Sequence, residues 1–182
     1  MKDLKKADLL AKARAAYSVQ SYGKVPTIEG VILKDLRCFV DDGGYFLELD
    51  RLNEGVSQHF PAAVTRQVSY SQVLPGAIKA FHLHFKQDDI WFVPSHERLL
   101  VVLSDQRANS PTRNHKMRLV MGAGTSRLLF IPRGIAHGGA NIWTAPASII
   151  YFVNQQFNSE QPDEGRLPWD FFGADVWDMS KG

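Results

Sequence analysis

Apolar and polar positions alternate in short runs over most of this chain, and long helical periods are missing. The runs are Val31–Leu33, Tyr45–Leu49, Arg66–Tyr70, Ile78–Phe85, Ile90–Val93, Leu99–Leu103, Lys116–Met121, Arg127–Ile131 and Ser148–Val153. Turn formers punctuate them, Asp41-Asp42-Gly43-Gly44 and Pro75-Gly76 among others. Short strands at this spacing predict an all-β sandwich or barrel. Only residues 3–17 read as helix, because Leu4, Ala7, Ala11 and Ala15 recur at helical spacing before Gly23 and Pro26 break the pattern. The expected division is a helical appendage over 1–22 and a single β domain over 23–182. Trp143, Trp169 and Trp177 fall near loops and in the acidic tail, where their rings are expected to seal a barrel mouth or a subunit contact.

Composition narrows the class. With 182 residues, 45% of them apolar, the chain is long enough for one domain with a sizeable core. A formal net charge of +2 gives no electrostatic case for a nucleic-acid partner. No apolar run approaches the length of a membrane span. Cys38 is the only cysteine, which excludes an internal disulfide framework and suits a reducing compartment. The N-terminus lacks the apolar stretch of a secretory signal, and Asp3 and Asp8 argue against an organelle presequence. The cytoplasm is the expected location, with no nucleic-acid or membrane partner.

Two segments carry the candidate chemistry. In the first, His82-Leu-His84 is followed by Asp88-Asp89 and the apolar run Ile90–Val93. Strict alternation along a strand puts Ile78, Ala80, His82 and His84 on one face and Lys79 on the other. Paired imidazoles can bind a metal, or one can act as base while its neighbour orients a substrate. The second segment is Pro132-Arg-Gly134-Ile-Ala-His137 with Asn141 four residues on. Together the two follow the pattern of the cupin (jelly-roll) β-barrel.

Longer stretches make the likeness more specific. From about Val31 to Trp177 the chain resembles the dTDP-4-dehydrorhamnose 3,5-epimerase family. The resemblance rests on Asp41–Glu48, Gln67–Ser71, Lys79-Ala-Phe-His82, Asp105–Thr112, Phe130–Gly138, Tyr151 and Glu164–Asp170. It implies proton transfer next to the 4-keto group of a dTDP- or related nucleotide-linked deoxysugar, with His82 as base and Tyr151 as acid. It also implies that Lys79, Gln67, Ser71, Glu48, His84 and His137 meet the substrate. No cofactor is implied, and the expected assembly is a homodimer that exchanges N-terminal strands. The sequence departs from the family where Lys79 replaces an arginine, Asp89 falls near a lysine position, Phe157 replaces a second tyrosine, and Gly43 replaces a turn arginine. The carboxylate that orients the base lies in a C-terminal segment without a counterpart here. Two alternatives therefore stand beside the epimerase reading. One is a metal-dependent isomerase or oxygenase holding a divalent transition metal through His82, His84, Asp89 and His137. The other is a sugar-binding cupin without catalysis.

Overall fold

The computed structural model describes residues 3–20 and 26–180. Fourteen strands follow one another: β1 (Ile32–Asp35), β2 (Cys38–Asp41), β3 (Gly44–Leu47), β4 (Leu52–Asn53), β5 (Val56–Ser57), β6 (Gln67–Val73) and β7 (Ile78–Leu83). After them come β8 (Asp89–Phe92), β9 (Arg98–Asp105), β10 (Lys116–Gly122), β11 (Arg127–Ile131), β12 (Ile135–Ala140), β13 (Ala147–Val153) and β14 (Gly165–Arg166). Two five-stranded antiparallel sheets form, in the orders β1-β11-β8-β13-β6 and β10-β9-β12-β7-β14. The fold is a jelly roll made as a two-sheet sandwich. Among the described residues no ladder joins the two sheets into a closed barrel.

Alternation explains the layers. Trp91, Val93, Leu99, Val101, Leu103, Leu129, Ile131 and Ile149 point between the sheets and form the central core. Their neighbours in sequence point outward, where both sheets are again covered by apolar side chains. Phe60 and Ala63 close the outside of the first sheet over Ile90, Phe92 and Leu128. The C-terminal segment closes the second sheet, with Trp177 and Phe172 packed on Phe81. Trp177 is thus a core residue of the outer layer and does not seal a barrel mouth. Strands with two covered faces read as unbroken apolar runs, as Leu99–Leu103 does.

The helical expectation over 3–17 contracts to a 3-10 turn (Lys6–Asp8) and α1 (Ala11–Ala16), neither of which buries a residue. So short a helix gains little without a packed face. The expected boundary between residues 22 and 23 lies outside the described residues. No described helix is long and apolar enough to cross a membrane.

One buried charge holds the N-terminal segment to the sandwich. The Asp105 carboxylate, at the end of β9 and 0% exposed, accepts two bonds from the Arg107 guanidinium, at 2.9 Å each, one from the Arg107 backbone N–H, and one each from Ser110 and Thr112. Arg107 also donates to the Glu29 carbonyl at 2.8 Å, next to Ile28, which plugs the central core. Burial alone would raise the Asp105 pKa, but these hydrogen bonds outweigh it and hold the carboxyl well below the ordinary carboxylate range. Asp105→Asn should therefore cost about 3 kcal/mol in urea unfolding at neutral pH. A depressed carboxyl contributes its stability above the unfolded pKa and loses it as pH falls. The gap between variant and wild type should narrow below about pH 4.

Candidate active site

Strand β7 carries His82, with His84 just past its end, and its register against β12 is broken at one point. His82 pairs with His137, but Lys79 pairs with Gly139, so Ala80 and Phe81 together oppose Gly138 alone. This bulge turns both Ala80 and Phe81 to the outer layer. It returns Lys79 to the side of His82, so the expected opposition of the two is overturned. Simple alternation cannot foresee this, because an extra residue inverts parity from that point on. Ala80 likewise leaves the face it was expected to share with His82. Gly138 makes the bulge possible, since a Cβ there would lie 2.3 Å from the Ala80 Cβ.

Between the sheets, at the end where β14 joins β7, a cavity of about 230 Å³ opens. His82, His84, His137, Asp89, Tyr151 and Glu164 all line it. The pairing of Gly165 with Leu83 and of Arg166 with His82 brings the C-terminal segment to the cavity rim. Glu164 Oε2 lies 3.3 Å from His82 Nδ1. A carboxylate can only accept here, so Nδ1 carries the proton and Nε2 is left as the basic nitrogen. The hydrogen bond from His82 lowers the Glu164 pKa, against the opposing effect of burial. A carboxylate partner for His82 is therefore present, supplied by a residue that the sequence reading placed only within the resemblance stretch Glu164–Asp170 and gave no role.

The deeper wall is a second network. His84 Nδ1 donates to the Asp163 carbonyl, and His137 Nδ1 donates to the Ile135 carbonyl at 2.9 Å. Asp163 in turn uses its carboxylate to accept the backbone N–H groups of Phe85, Lys86 and Gln87. Asp89 accepts from Trp91 Nε1 at 3.0 Å and from Gln87 Nε2 at 2.8 Å, and lies 3.5 Å from His137 Nε2. Burial would raise the Asp89 pKa, but His137, His84 and Trp91 outweigh it and lower it to about 2. Asp88 faces away from this network and pairs with Arg133 at 2.6 Å, so the carboxylate at the cavity is Asp89.

Tyr151 enters from β13 on the same face as Ile149 and Val153, as its parity predicts, and its ring meets Trp91 edge-on at 5.4 Å. Burial, with Asp89 and Glu164 nearby, raises its pKa and keeps the phenol protonated. Ser71, close enough to Tyr151 to lower its pKa against burial, accepts from Lys79 Nζ at 3.1 Å. Gln67 lines the cavity and accepts the backbone N–H of Phe157, a further lining residue. Glu48 is not brought to the cavity, because its exposed carboxylate pairs with Arg51 at 2.9 Å.

The jelly-roll cavity thus lines up a carboxylate-oriented imidazole and a protonated phenol, two groups whose chemistry suits proton transfer. Residues 26–172 match the family model described as dTDP-4-dehydrorhamnose 3,5-epimerase, and the chain belongs to that family of isomerases. The spore coat polysaccharide biosynthesis protein SpsL of Bacillus subtilis (strain 168) is 45% identical over 143 residues, covering 79% of this chain and 91% of SpsL. Among solved structures, a dTDP sugar isomerase from Desulfovibrio desulfuricans G20 superposes with a TM-score of 0.69 at 28% identity, covering 84% of this chain and 91% of that one. A dTDP-4-dehydrorhamnose 3,5-epimerase from Sulfolobus tokodaii gives 0.66 at 26% identity, with 88% and 84% covered.

The bulge yields a direct test of this geometry. Gly138→Ala should push β7 away from β12, destabilise the protein by about 1–3 kcal/mol in thermal or urea unfolding, and lower ligand affinity through displaced Lys79 and His82. Unchanged stability would mean that the ladder adapts without strain.

Proposed function

We propose that this protein epimerises a carbon next to the 4-keto group of a dTDP- or related nucleotide-linked deoxysugar. The observation that carries the reading is the Glu164–His82 hydrogen bond, which leaves His82 Nε2 as the basic nitrogen of a ring that lines the cavity. His82 Nε2 takes the proton alpha to the ketone, and the electron pair moves onto the ketone oxygen as an enolate. Tyr151, kept protonated by burial, returns a proton to the opposite face of the same carbon, and the carbonyl re-forms. The Lys79 ammonium and the Ser71 hydroxyl form a polar wall beside Tyr151, suited to the substrate's oxygens, with Gln67 further along β6. The nucleotide sugar is the partner.

The working unit is a homodimer. The β2–β3 hairpin supports this, because Phe39 and Phe46 are 48% and 63% exposed on it and Val40 and Tyr45 are exposed beside them. An apolar ribbon of this kind is a surface for another chain. Phe46→Asp should shift the sedimentation coefficient to that of the monomer while the fold persists. The enzyme works in the cytoplasm, consistent with its exposed free thiol at Cys38.

Deuterium wash-in from solvent into a 4-keto nucleotide sugar tests the chemistry. His82→Asn should abolish wash-in while nucleotide-sugar binding persists. Glu164→Gln should lower kcat by about 10²-fold with little change in KM, because the base loses its orienting partner but not its place. Tyr151→Phe should retain exchange yet slow formation of the inverted product. Wash-in at the wild-type rate in His82→Asn would remove the assignment of the base.

A further inference from the structure

We propose that the inner wall of the cavity is a binding site for one divalent transition-metal ion, held by Nε2 of His84, Nε2 of His137 and a carboxylate oxygen of Asp89. The three residues come from separate parts of the sandwich, just past β7, at the start of β8 and within β12. Each offers a ligand atom within 4.8 Å of the other two. All three side chains are buried, at 3%, 3% and 4% exposure for His84, His137 and Asp89.

Their hydrogen bonds prepare them for this role. A carbonyl oxygen cannot donate, so the bonds to Asp163 and Ile135 fix the proton of each ring on Nδ1. Nε2 is then the nitrogen that each ring presents to the interior of the cluster. A main-chain carbonyl behind the distal nitrogen is a recurrent way of orienting a metal-binding histidine. Asp89 is held in the same way by Trp91 and Gln87.

The interior of the cluster consists of acceptors. His137 Nε2 and Asp89 Oδ2 face each other at 3.5 Å. Without a metal, a proton on His137 would satisfy that pair, and the Gln87 amide would give one N–H to Asp89 and the other, over a longer 3.4 Å, to His84 Nε2. One cation satisfies all three. Metal bonds of about 2.0–2.2 Å set ligand atoms roughly 3–3.5 Å apart, so the His137–Asp89 separation already fits. Two imidazoles and one carboxylate suit Zn²⁺, Co²⁺, Ni²⁺, Mn²⁺ or Fe²⁺ better than Mg²⁺ or Ca²⁺. His82 is outside the set because it does not belong to the group whose ligand atoms converge within 4.8 Å, and it keeps its function as base. All three ligands also line the cavity, which leaves further coordination positions on the side of Tyr151. There the ion would supply positive charge where an oxyanion forms, a role that rests on the epimerase reading.

The test is binding of the metal alone. Chelator-treated protein is titrated with Co²⁺ and with Zn²⁺, followed by calorimetry and by the visible absorption of Co²⁺. One saturable site per chain is expected. Asp89→Asn and His84→Gln should each weaken it at least 100-fold, while His82→Asn keeps the stoichiometry. On the wild-type chain, Zn²⁺ should shift the ¹⁵N resonances of the His84 and His137 Nε2 atoms but not that of His82 Nδ1, which needs no variant to fold. Absence of saturable binding up to millimolar metal, or wild-type affinity in a folded Asp89→Asn variant, would overturn the site. Solvent exchange into a nucleotide sugar is measured separately. Exchange without metal binding overturns the metal site and leaves the epimerase reading standing, and binding without exchange does the reverse.

Discussion

The short ladder between β14 and β7 is the contact on which the rest of the cavity depends. Two residues of the C-terminal segment, Gly165 and Arg166, pair with Leu83 and His82, and their immediate neighbours then do the chemistry-setting work. Glu164 reaches His82, while Asp163 presents its carbonyl to His84 and its carboxylate to three backbone N–H groups of the β7–β8 turn. Gly165 allows the approach, because a Cβ there would meet the Leu83 carbonyl oxygen at 2.7 Å. The ladder is anchored from outside by Trp177 and Phe172, whose packing on Phe81 resists its peeling away. Burial on the outer face thus stabilises hydrogen bonds that act on the inner face.

Within the cavity the carboxylates are kept apart and each is assigned an imidazole. Glu164 pairs with His82 at the rim, and Asp89 pairs with His137 in the depth. The three rings still stand close, with centroids 5.2–6.5 Å apart. Like acceptors crowded in a buried space need a shared cation or proton, and the two networks meet that need differently. At the rim, a partly exposed carboxylate orients the His82 ring. Deeper in, main-chain carbonyls hold the Nδ1 atoms of His84 and His137. The same wall raises the Tyr151 pKa by burial.

Much of this was legible in the one-dimensional pattern. Arg127–Ile131 is a strand with the bounds read from its alternation, and Lys116–Met121 and Ser148–Val153 differ from theirs by one residue at one end. The β2–β3 hairpin was seen only in its second strand, since Cys38–Asp41 is exposed along its length and has no buried face to impose a period. His82, His84, His137, Tyr151 and Gln67 were singled out and do meet around one cavity. Glu48 was carried in by resemblance and lies outside it, held by Arg51.

By itself, then, the sequence determined the all-β architecture, the inward face of β13 that presents Tyr151, and the two motifs that supply the imidazoles. These follow from short-range periodicity, which each strand carries independently of its partners. Only the tertiary structure decided that Lys79 joins His82, that Asp89 and not Asp88 faces the cavity, and that Glu164 meets His82. The reason is physical. A bulge reverses side-chain parity only when a partner strand defines it, and the strand pairing of Arg166 with His82 across 84 positions is written in no local pattern.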